Sequence, residues 1–255
     1  MIPHMDKRHK GGEDAYWVED MMVAVADGVG GWADSGVDPA LYSRALCRNI
    51  NSIYLSSVER NDTSALSSVL NKPQDLLIEA AGETRERGSS TAVVWMLDTE
   101  GDYLHTANLG DSGYLLLRKN GFDLVPLFRT KEQTHGFNFP FQVGVGGDDP
   151  KKADYQVHNV QDNDILVVGT DGLFDNMFDE QIIEIFQPFI KQSEAILDLE
   201  LVAQMIAKRA EELSLNPKWN SPFAKEAYRN YYDFKGGKHD DVTVIVSQIK
   251  IQDIQ

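Results

Sequence analysis

The stretch TAVVWMLDTEGDYLHTANLGDSGYLLLR, residues 91–118, contains three short runs of β-branched, aromatic and other apolar residues. The runs Thr91–Leu97, Tyr103–Ala107 and Tyr114–Arg118 are bounded by Gly, Asp or Asn, which is typical of strands. Asn120-Gly121 follows and is a strong signal for a hairpin turn, with a second β-rich run continuing to Leu127. This part of the chain therefore predicts a meander of antiparallel strands.

On both sides of this meander, strand-like and helix-like segments are grouped instead of alternating. Further strands are predicted at Met21–Ala26, Ile165–Val168 and Val242–Ser247. Asp38-Pro39 is typical of an N-cap followed by proline in the first helical turn, and it predicts a helix to about Val58. The other predicted helices are Gln74–Arg87, Glu180–Phe189 and Leu197–Leu213. The grouping predicts an α+β fold with antiparallel sheet, and residues 216–237 are predicted to be a structured insertion before the last strand.

Composition limits the classes of protein that fit. The 255 residues are 42% hydrophobic and contain no linker-like segment, so we expect a single domain over residues 1–255. A formal net charge of −16 argues against nucleic acid or an anionic membrane as partner. The one cysteine, Cys47, excludes an internal disulfide and fits a reducing compartment. Because Cys47 lies within a predicted helix, we expect a structural thiol and not a nucleophile.

Four aspartates lie where an apolar run ends or begins, three of them beside glycine-rich backbone. They are Asp27 in VAVADGVGG (23–31), Asp111 in ANLGDSG (107–113), Asp171 in VVGTDG (167–172) and Asp240 in HDDVTVIV (239–246). A strand end holds a carboxylate rigidly, and a glycine after it lets backbone or a small ligand approach closely. Several converging carboxylates are tolerated most easily around a divalent cation that prefers oxygen ligands. A single Asp-Gly is also an ordinary turn dipeptide, so the set as a whole predicts a metal site.

Five motifs, in this order, resemble the metal-dependent Ser/Thr protein phosphatases of the PPM or type 2C family. The motifs are DGVGGW (27–32), GSSTA (88–92), ANLGDSG (107–113), TDGLFD (170–175) and HDDVTVI (239–245), and the resemblance runs from about Glu13 to Val246. Finer features resemble the subgroup of mitochondrial phosphatases of yeast and animals: GVGGW (28–32), HGFNFPFQ (135–142) and NSPFA (220–224). The resemblance implies a four-layer α-β-β-α sandwich, with two packed antiparallel sheets flanked by helices. It also implies location in the mitochondrial matrix, with any transit peptide absent from this sequence.

The resemblance further implies a site. Two Mn²⁺ or Mg²⁺ ions are expected, with Asp27 bridging them and with these ligands: Asp27, the carbonyl of Gly28, Asp171 and Asp240. Glu13 and Asp14 match an acidic pair of the family and are expected to contact the metals through water or to support the ligands. Asp111 and Asp175 match residues that, in some relatives, hold a third and weaker metal. The implied reaction is hydrolysis of phosphoserine and phosphothreonine in phosphoproteins by metal-activated water, without a phosphoenzyme intermediate, in a monomer.

Two of these assignments have an alternative within the sequence. Neighbouring strand residues face opposite sides, so a shift of one residue would exchange Asp240 and Asp241. Asp240 is favoured because the apolar core of its strand begins directly after Asp241. Asp111 could instead cap a turn through its side chain.

The chain departs from the family pattern at two places. Many members have a histidine, a proposed general acid, two residues after the bridging aspartate, where this chain has Val29, which cannot transfer a proton. His135 is the nearest replacement by motif context, and an ordinary surface or core histidine is the alternative. Many members also bind phosphate with an arginine before the acidic pair. Arg8 in KRHK (7–10) is the candidate here, and a solvated basic terminus is the alternative.

A protein Ser/Thr phosphatase is therefore the leading hypothesis. A catalytically weak pseudophosphatase that acts as a binding module is the alternative, motivated by Val29 and the missing arginine. The intact set of aspartates argues against it, because a site without catalysis has little reason to retain such repulsion. A calcium-binding structural protein would need a D-x-[DN]-x-[DN]-G loop, and a phosphatase with an aspartyl nucleophile would need D-x-D, which Asp27-Gly28-Val29 does not supply.

Overall fold

The computed structural model describes residues 1–59, 72–98, 102–190, 196 and 198–251. They form two compact units. Unit 1 consists of Met1–Gly12, Gly113–Lys131 and Gln161–Gln255, and unit 2 consists of Glu13–Ser112 and Glu132–Val160. Each unit combines antiparallel sheet with helices, so the predicted α+β class with antiparallel sheets is confirmed.

Unit 2 contains a five-stranded antiparallel sheet in the order β1-β2-β4-β5-β11. Its strands are β1 Asp14–Glu19, β2 Met22–Asp27, β4 Ala92–Leu97, β5 Tyr103–Leu109 and β11 Asp154–Asn159. Two short strand pairs accompany it, formed by β3 Ser89–Ser90 with β10 Val143–Gly144 and by β8 Thr134–Gly136 with β9 Phe139–Pro140. Its helices are α1 Pro39–Glu59 and α2 Pro73–Glu83.

The core of unit 2 lies between this sheet and α1 and α2. Alternate residues of β2, Met22, Ala24 and Ala26, share a buried apolar cluster with Leu46 of α1 and Leu76 of α2, among others. Such alternation is what a strand with one face on a helix layer requires. Packing of this layer fixes where β2 ends, and Asp27 is its last residue.

Unit 1 contains a four-stranded antiparallel sheet in the order β13-β12-β6-β7. Its strands are β6 Gly113–Asn120, β7 Asp123–Arg129, β12 Ile165–Gly169 and β13 Val244–Gln248. Its helices are α3 Asp171–Phe174, α4 Asp179–Ile190, α5 Leu199–Ser214 and α6 Pro222–Arg229. Gly121 has φ of 64° in the turn between β6 and β7, which explains why glycine follows Asn120 there.

The core of unit 1 lies between its sheet and the helices. Leu115 of β6 and Val167 of β12 pack in one buried cluster with Phe186 of α4 and Ile206 of α5, and Leu173 of α3 joins it. Because α3 begins directly after β12, the same packing fixes the position of Asp171 at its first residue. None of the helices in the described ranges combines the length and the apolarity needed to cross a bilayer.

The predicted elements are present with shifted ends. The helix predicted from Pro39 to about Val58 is confirmed, and Asp38 Oδ1 accepts a hydrogen bond from the N–H of Ala40, as expected of a capping residue. The helix predicted to reach Arg87 ends at Glu83, and Leu197, where another was predicted to begin, lies outside the described residues. The last strand begins at Val244, two residues later than predicted, and Val242 forms an isolated bridge with Ile2. The elements that were not predicted are β1, β11, α6, the four-residue helix α3 and the short strands β3, β8, β9 and β10.

Candidate metal centre

In unit 2, two predicted acidic residues lie on one face at a strand end. Asp27 is the last residue of β2, and Asp14, the first residue of β1, is its direct cross-strand partner. Directly opposite residues of an antiparallel pair point to the same side with Cβ atoms about 5 Å apart, and like charges there repel each other. Asp14 is buried, so a bound cation would offset a repulsion that water screens poorly.

The glycine after Asp27 is required by close backbone packing. A Cβ at Gly28 would lie 2.7 Å from the carbonyl oxygen of Pro39 and 2.8 Å from that of Glu13. The N–H of Gly28 donates to the same Glu13 carbonyl at 3.2 Å, and the Ser43 hydroxyl donates to it at 2.6 Å. Glu13 Oε2 lies 3.6 Å from the Cβ position of Gly30. The acidic pair Glu13 and Asp14 is therefore held beside the loop that follows Asp27.

Thr91, from the GSSTA motif, ties Asp27 to the loop that carries Asp111. The Thr91 hydroxyl accepts from the N–H of Asp27 at 3.2 Å and hydrogen-bonds the Ser112 hydroxyl at 2.7 Å, while the N–H of Thr91 donates to the Asp27 carbonyl at 2.9 Å. Gly110 has φ of 106°, and a Cβ there would lie 2.7 Å from Thr91 Cγ2. These contacts hold the motifs DGVGGW, GSSTA and ANLGDSG side by side.

In unit 1, Asp171 opens α3 and Asp175 follows its last residue, with the N–H of Asp175 donating to the Asp171 carbonyl at 2.7 Å. Gly172 permits the close approach of the segment that carries Asp240, because a Cβ on Gly172 would overlap the carbonyl oxygen of Asp241. The glycine of this Asp-Gly therefore serves packing. Without a side chain at residue 172, the segments that carry Asp171 and Asp240 can pack against each other.

One lysine joins the three predicted aspartates of unit 1. Lys238 Nζ forms ion pairs with Asp171 Oδ2, with Asp175 Oδ2 at 2.7 Å and with Asp240 Oδ2 at 3.6 Å. A second ammonium, Lys7 Nζ, lies 3.4 Å from both Asp240 Oδ1 and Asp241 Oδ2. The sequence prediction did not include Lys238. The only local signal was a basic residue two positions before Asp240.

The charges of Lys238, Lys7 and the neighbouring aspartates shift the pKa values of Lys238 and Asp240. Burial opposes the charged form of Lys238, but the charges of Asp171, Asp175 and Asp240 outweigh burial and hold the pKa of the ammonium well above its usual value. Burial and the charge of Asp171 raise the pKa of Asp240 above its usual value, against the opposing charges of Lys238 and Lys7. Asp240 is therefore a carboxylate whose charge depends on nearby cations.

The two candidates for the last aspartate differ in their surroundings. Asp240 shares Lys238 with Asp171 and Asp175. Asp241 is buried and accepts a hydrogen bond from the N–H of His4 at 2.7 Å, in addition to the ion pair with Lys7. This placement supports Asp240 as the ligand, while Asp241 anchors the N-terminal segment.

The donor set fits a hard divalent cation. All the predicted side-chain ligands are carboxylates, which suit Mg²⁺ and Mn²⁺, and in unit 1 three of them contact the same ammonium, Lys238 Nζ. Across the described ranges, no three His, Cys, Asp or Glu side chains stand at the spacing of a preformed metal site. In unit 1 the carboxylates are spaced around the Lys238 ammonium. Asp27, Gly28, Glu13, Asp14 and Asp111 belong to unit 2.

The residues considered for phosphate binding and proton transfer have other contacts. Arg8 lies in a 3-10 turn, Met5–Lys10, and its guanidinium donates to Glu211 of α5 at 2.9 Å. His135 Nε2 lies 2.9 Å from Asp148 Oδ2, and its ring stacks on Phe141. Val29 precedes the 3-10 turn Gly30–Ser35. In unit 1, Lys7 and Lys238 contact the predicted ligands, while the Arg8 assignment stays a prediction.

Residues 18–250 match the family profile described as Stage II sporulation protein E (SpoIIE). The chain is 39% identical over 241 residues to "Protein phosphatase PTC7 homolog" of Homo sapiens, covering 89% of this chain and 74% of that protein. The chain belongs to the protein phosphatase 2C family. This membership confirms the family resemblance drawn from the five motifs.

Two further members show how far the likeness extends. "Probable protein phosphatase 2C 80" of Arabidopsis thaliana is 37% identical over an alignment of 252 residues, with coverage of 97% of this chain and 57% of that protein. The X-ray structure of the photosystem II phosphatase PBCP is 33% identical and superposes with a TM-score of 0.82, covering 98% of this chain and 96% of that one. The chain therefore has the fold of a type 2C phosphatase. It spans about half the length of the first curated relatives that it matches.

Proposed function

We propose that the chain is a protein serine/threonine phosphatase that requires divalent metal ions. The observation that carries the proposal is the gathering of Asp171, Asp175 and Asp240 around one positive charge, in a chain of the type 2C family. The relatives named as protein phosphatases favour an enzyme over the pseudophosphatase alternative. The two units together correspond to one catalytic domain in this proposal, because the family match extends over both.

The proposed ligands of two Mn²⁺ or Mg²⁺ ions are Asp27, the Gly28 carbonyl, Asp171 and Asp240. Asp111 and Asp175 are proposed for a third ion, and Glu13 and Asp14 for support of the ligands. When bound, the ions would neutralise charge on the phosphoryl group and lower the pKa of a coordinated water molecule. The chain itself holds the carboxylates: β2 and β1 present Asp27 beside Asp14, and Gly172 allows Asp240 to approach Asp171.

Phosphoserine and phosphothreonine in proteins are the proposed substrates, and mitochondria the proposed location. The substrate class rests on the family, and the location on the likeness to the PTC7 homolog and on the subgroup features of the sequence. Because the chain is also 33% identical to the photosystem II phosphatase, subcellular fractionation is the appropriate check of location. Recovery of the full-length protein outside mitochondria would reject the location without affecting the proposed chemistry.

Phosphate release from a phosphothreonine peptide tests the proposed chemistry. Wild-type protein is assayed with Mn²⁺, with Mg²⁺ and with excess chelator, beside Asp171→Asn and the control Asp123→Asn, an exposed residue of the same unit. We expect hydrolysis that requires metal, that is lost in Asp171→Asn and that persists in Asp123→Asn. Equal hydrolysis in chelator, or full activity of Asp171→Asn, would overturn the proposal. Metal binding without turnover would instead favour the pseudophosphatase.

A further inference from the structure

Lys238 is built into the acidic cluster. Its N–H donates to Asn176 Oδ1 at 2.9 Å, and Asn176 Nδ2 donates to the carbonyls of Lys238 at 2.8 Å and of Gly172 at 2.9 Å. Asn176 is fully buried, and its own carbonyl accepts from Trp219 Nε1 at 2.8 Å. The backbone of Lys238 is therefore fixed to the same turn that carries Asp171.

The side chain of Lys238 is also enclosed. It is 16% exposed, and Nζ lies 5.0 Å from the centre of the Phe223 ring, which offers an aromatic face. The N–H of Phe223 donates to the Asp175 carbonyl at 3.1 Å, so α6 holds this ring against the cluster. With the ring on one side, the ammonium is directed to Asp171, Asp175 and Asp240.

A divalent ion held by Asp171 and Asp240 would compete with this ammonium for the same carboxylates. Both are cations, and Asp171 Oδ2, Asp175 Oδ2 and Asp240 Oδ2 already face Nζ. Two positive centres at contact distance of one carboxylate set repel strongly where water is scarce. We propose that Lys238 is an internal counter-ion of the metal centre, which holds the three carboxylates together without metal and must be displaced when a divalent ion binds. This inference rests on the proposed metal-dependent function.

The role has two consequences that differ in sign. Without metal, Lys238 offsets repulsion among the carboxylates and stabilises the fold. When metal binds, displacement of the ammonium costs free energy, so Lys238 lowers metal affinity and raises the metal concentration that the protein requires. A purely structural lysine would have the first effect alone.

Calorimetric titration with Mn²⁺ and thermal melting in excess chelator test the two consequences separately from turnover. The variants are Lys238→Met, which removes the charge at similar length, Lys238→Arg, which keeps it, and Lys235→Met, an exposed control from the same loop. We expect Lys238→Met to bind Mn²⁺ about 10- to 100-fold more tightly than wild type and to melt lower in chelator. Saturating Mn²⁺ is expected to restore its melting temperature. Lys235→Met is expected to match wild type, and Lys238→Arg to stay within about threefold of the wild-type Kd, since its charge is kept.

Lys7→Met provides an internal comparison. Because Lys7 Nζ lies 3.4 Å from Asp241 Oδ2 as well as from Asp240 Oδ1, part of its charge acts on a residue outside the proposed metal ligands, and its removal is expected to tighten Mn²⁺ binding less than Lys238→Met does. If Lys238→Met folds only with metal, it is purified with Mn²⁺ and its affinity is measured by chelator competition, beside wild type treated identically. A Kd for Lys238→Met equal to or weaker than that of wild type would overturn this inference alone. Failure of wild type to bind Mn²⁺ at all would overturn the proposed function as well.

Discussion

Asp14 lies directly opposite Asp27 in the antiparallel pair of β1 and β2. Two carboxylates therefore share one face of the sheet where β1 begins and β2 ends. Like charges in this position destabilise a strand pair by about 0.2–1 kcal/mol. A bound cation would offset this repulsion. The arrangement links the local geometry of unit 2 to the proposed metal dependence.

Asp27→Asn keeps the shape of the side chain and removes one of the two charges. In chelator, we expect its melting temperature to equal or exceed that of wild type, because the repulsion with Asp14 is relieved. With saturating Mn²⁺, wild type is expected to gain stability that the variant lacks, since a ligand that binds only the folded state raises its stability. Thermal melts in both conditions measure this, with Asp20→Asn at the other end of the same hairpin as the control. Equal Mn²⁺ stabilisation of both proteins would contradict a ligand role for Asp27.

Gly172→Ala tests the close approach behind the unit 1 site. The added Cβ would overlap the Asp241 carbonyl oxygen, which is backbone and has little room to move. We expect a loss of about 1–3 kcal/mol in the free energy of unfolding, together with weaker Mn²⁺ binding. Gly82→Ala is the matched control, because Gly82 lies within α2 and, apart from its chain neighbours and the backbone of its own helix, no described atom lies within 4 Å of its Cβ position. That variant is expected to be as stable as wild type or more so. Similar denaturation midpoints for both variants would refute the packing argument.

Thr91→Val tests the link between Asp27 and the loop of Asp111. Valine keeps the volume but removes the hydroxyl that accepts from the Asp27 N–H and hydrogen-bonds Ser112. Leaving buried polar groups without this partner is expected to cost about 1–3 kcal/mol in the free energy of unfolding. Urea denaturation measures the loss, and Thr134→Val, at an exposed position of the same unit, is expected to change it little. Unchanged stability of Thr91→Val would show that the hydroxyl does not hold the site together.

Cys47 is expected to be inert in the native protein. Burial and the charge of Asp14 raise the pKa of its thiol far above the usual range, so almost no thiolate is present even at pH 9. Reaction with a disulfide reagent should be slow in the folded protein between pH 7 and 9 and fast in denaturant, because the thiolate is the reacting form. Native labelling at the denatured rate would contradict the structural role and reopen cysteine chemistry.

The sequence predicts elements best where local pattern and packing agree. The strand ending at Asp27 and the helix opened by Pro39 were placed within a residue or two, because apolar alternation and a capping aspartate are local signals. β1 was missed because its residues 16–19 alternate weakly and are largely exposed. α6 is only eight residues long, and the two start signals that it offers, the Ser221 cap and Pro222 in its first turn, were not interpreted as a helix.

The sequence predicted the acidic residues of the site more completely than the basic residues that contact them. Each aspartate stands in a recognisable local motif, but the ion pairs of Lys238 with Asp171 and Asp175 span 67 and 63 residues. Nothing in the neighbourhood of Lys238 encodes such contacts, since they depend on Gly172 allowing two segments to meet. The reason for that glycine, overlap with Asp241, is likewise visible only in three dimensions.

The most direct test of the central claim compares wild type with Asp27→Ala after removal of all metal. Phosphate release from a phosphothreonine peptide is measured as Mn²⁺ is added back, and Mn²⁺ binding is measured calorimetrically on the same samples. The account predicts no release from metal-free wild type, recovery as Mn²⁺ binds, and neither tight binding nor recovery in Asp27→Ala. Phosphate release by metal-free wild type, or recovery by Asp27→Ala to the wild-type rate, would contradict it.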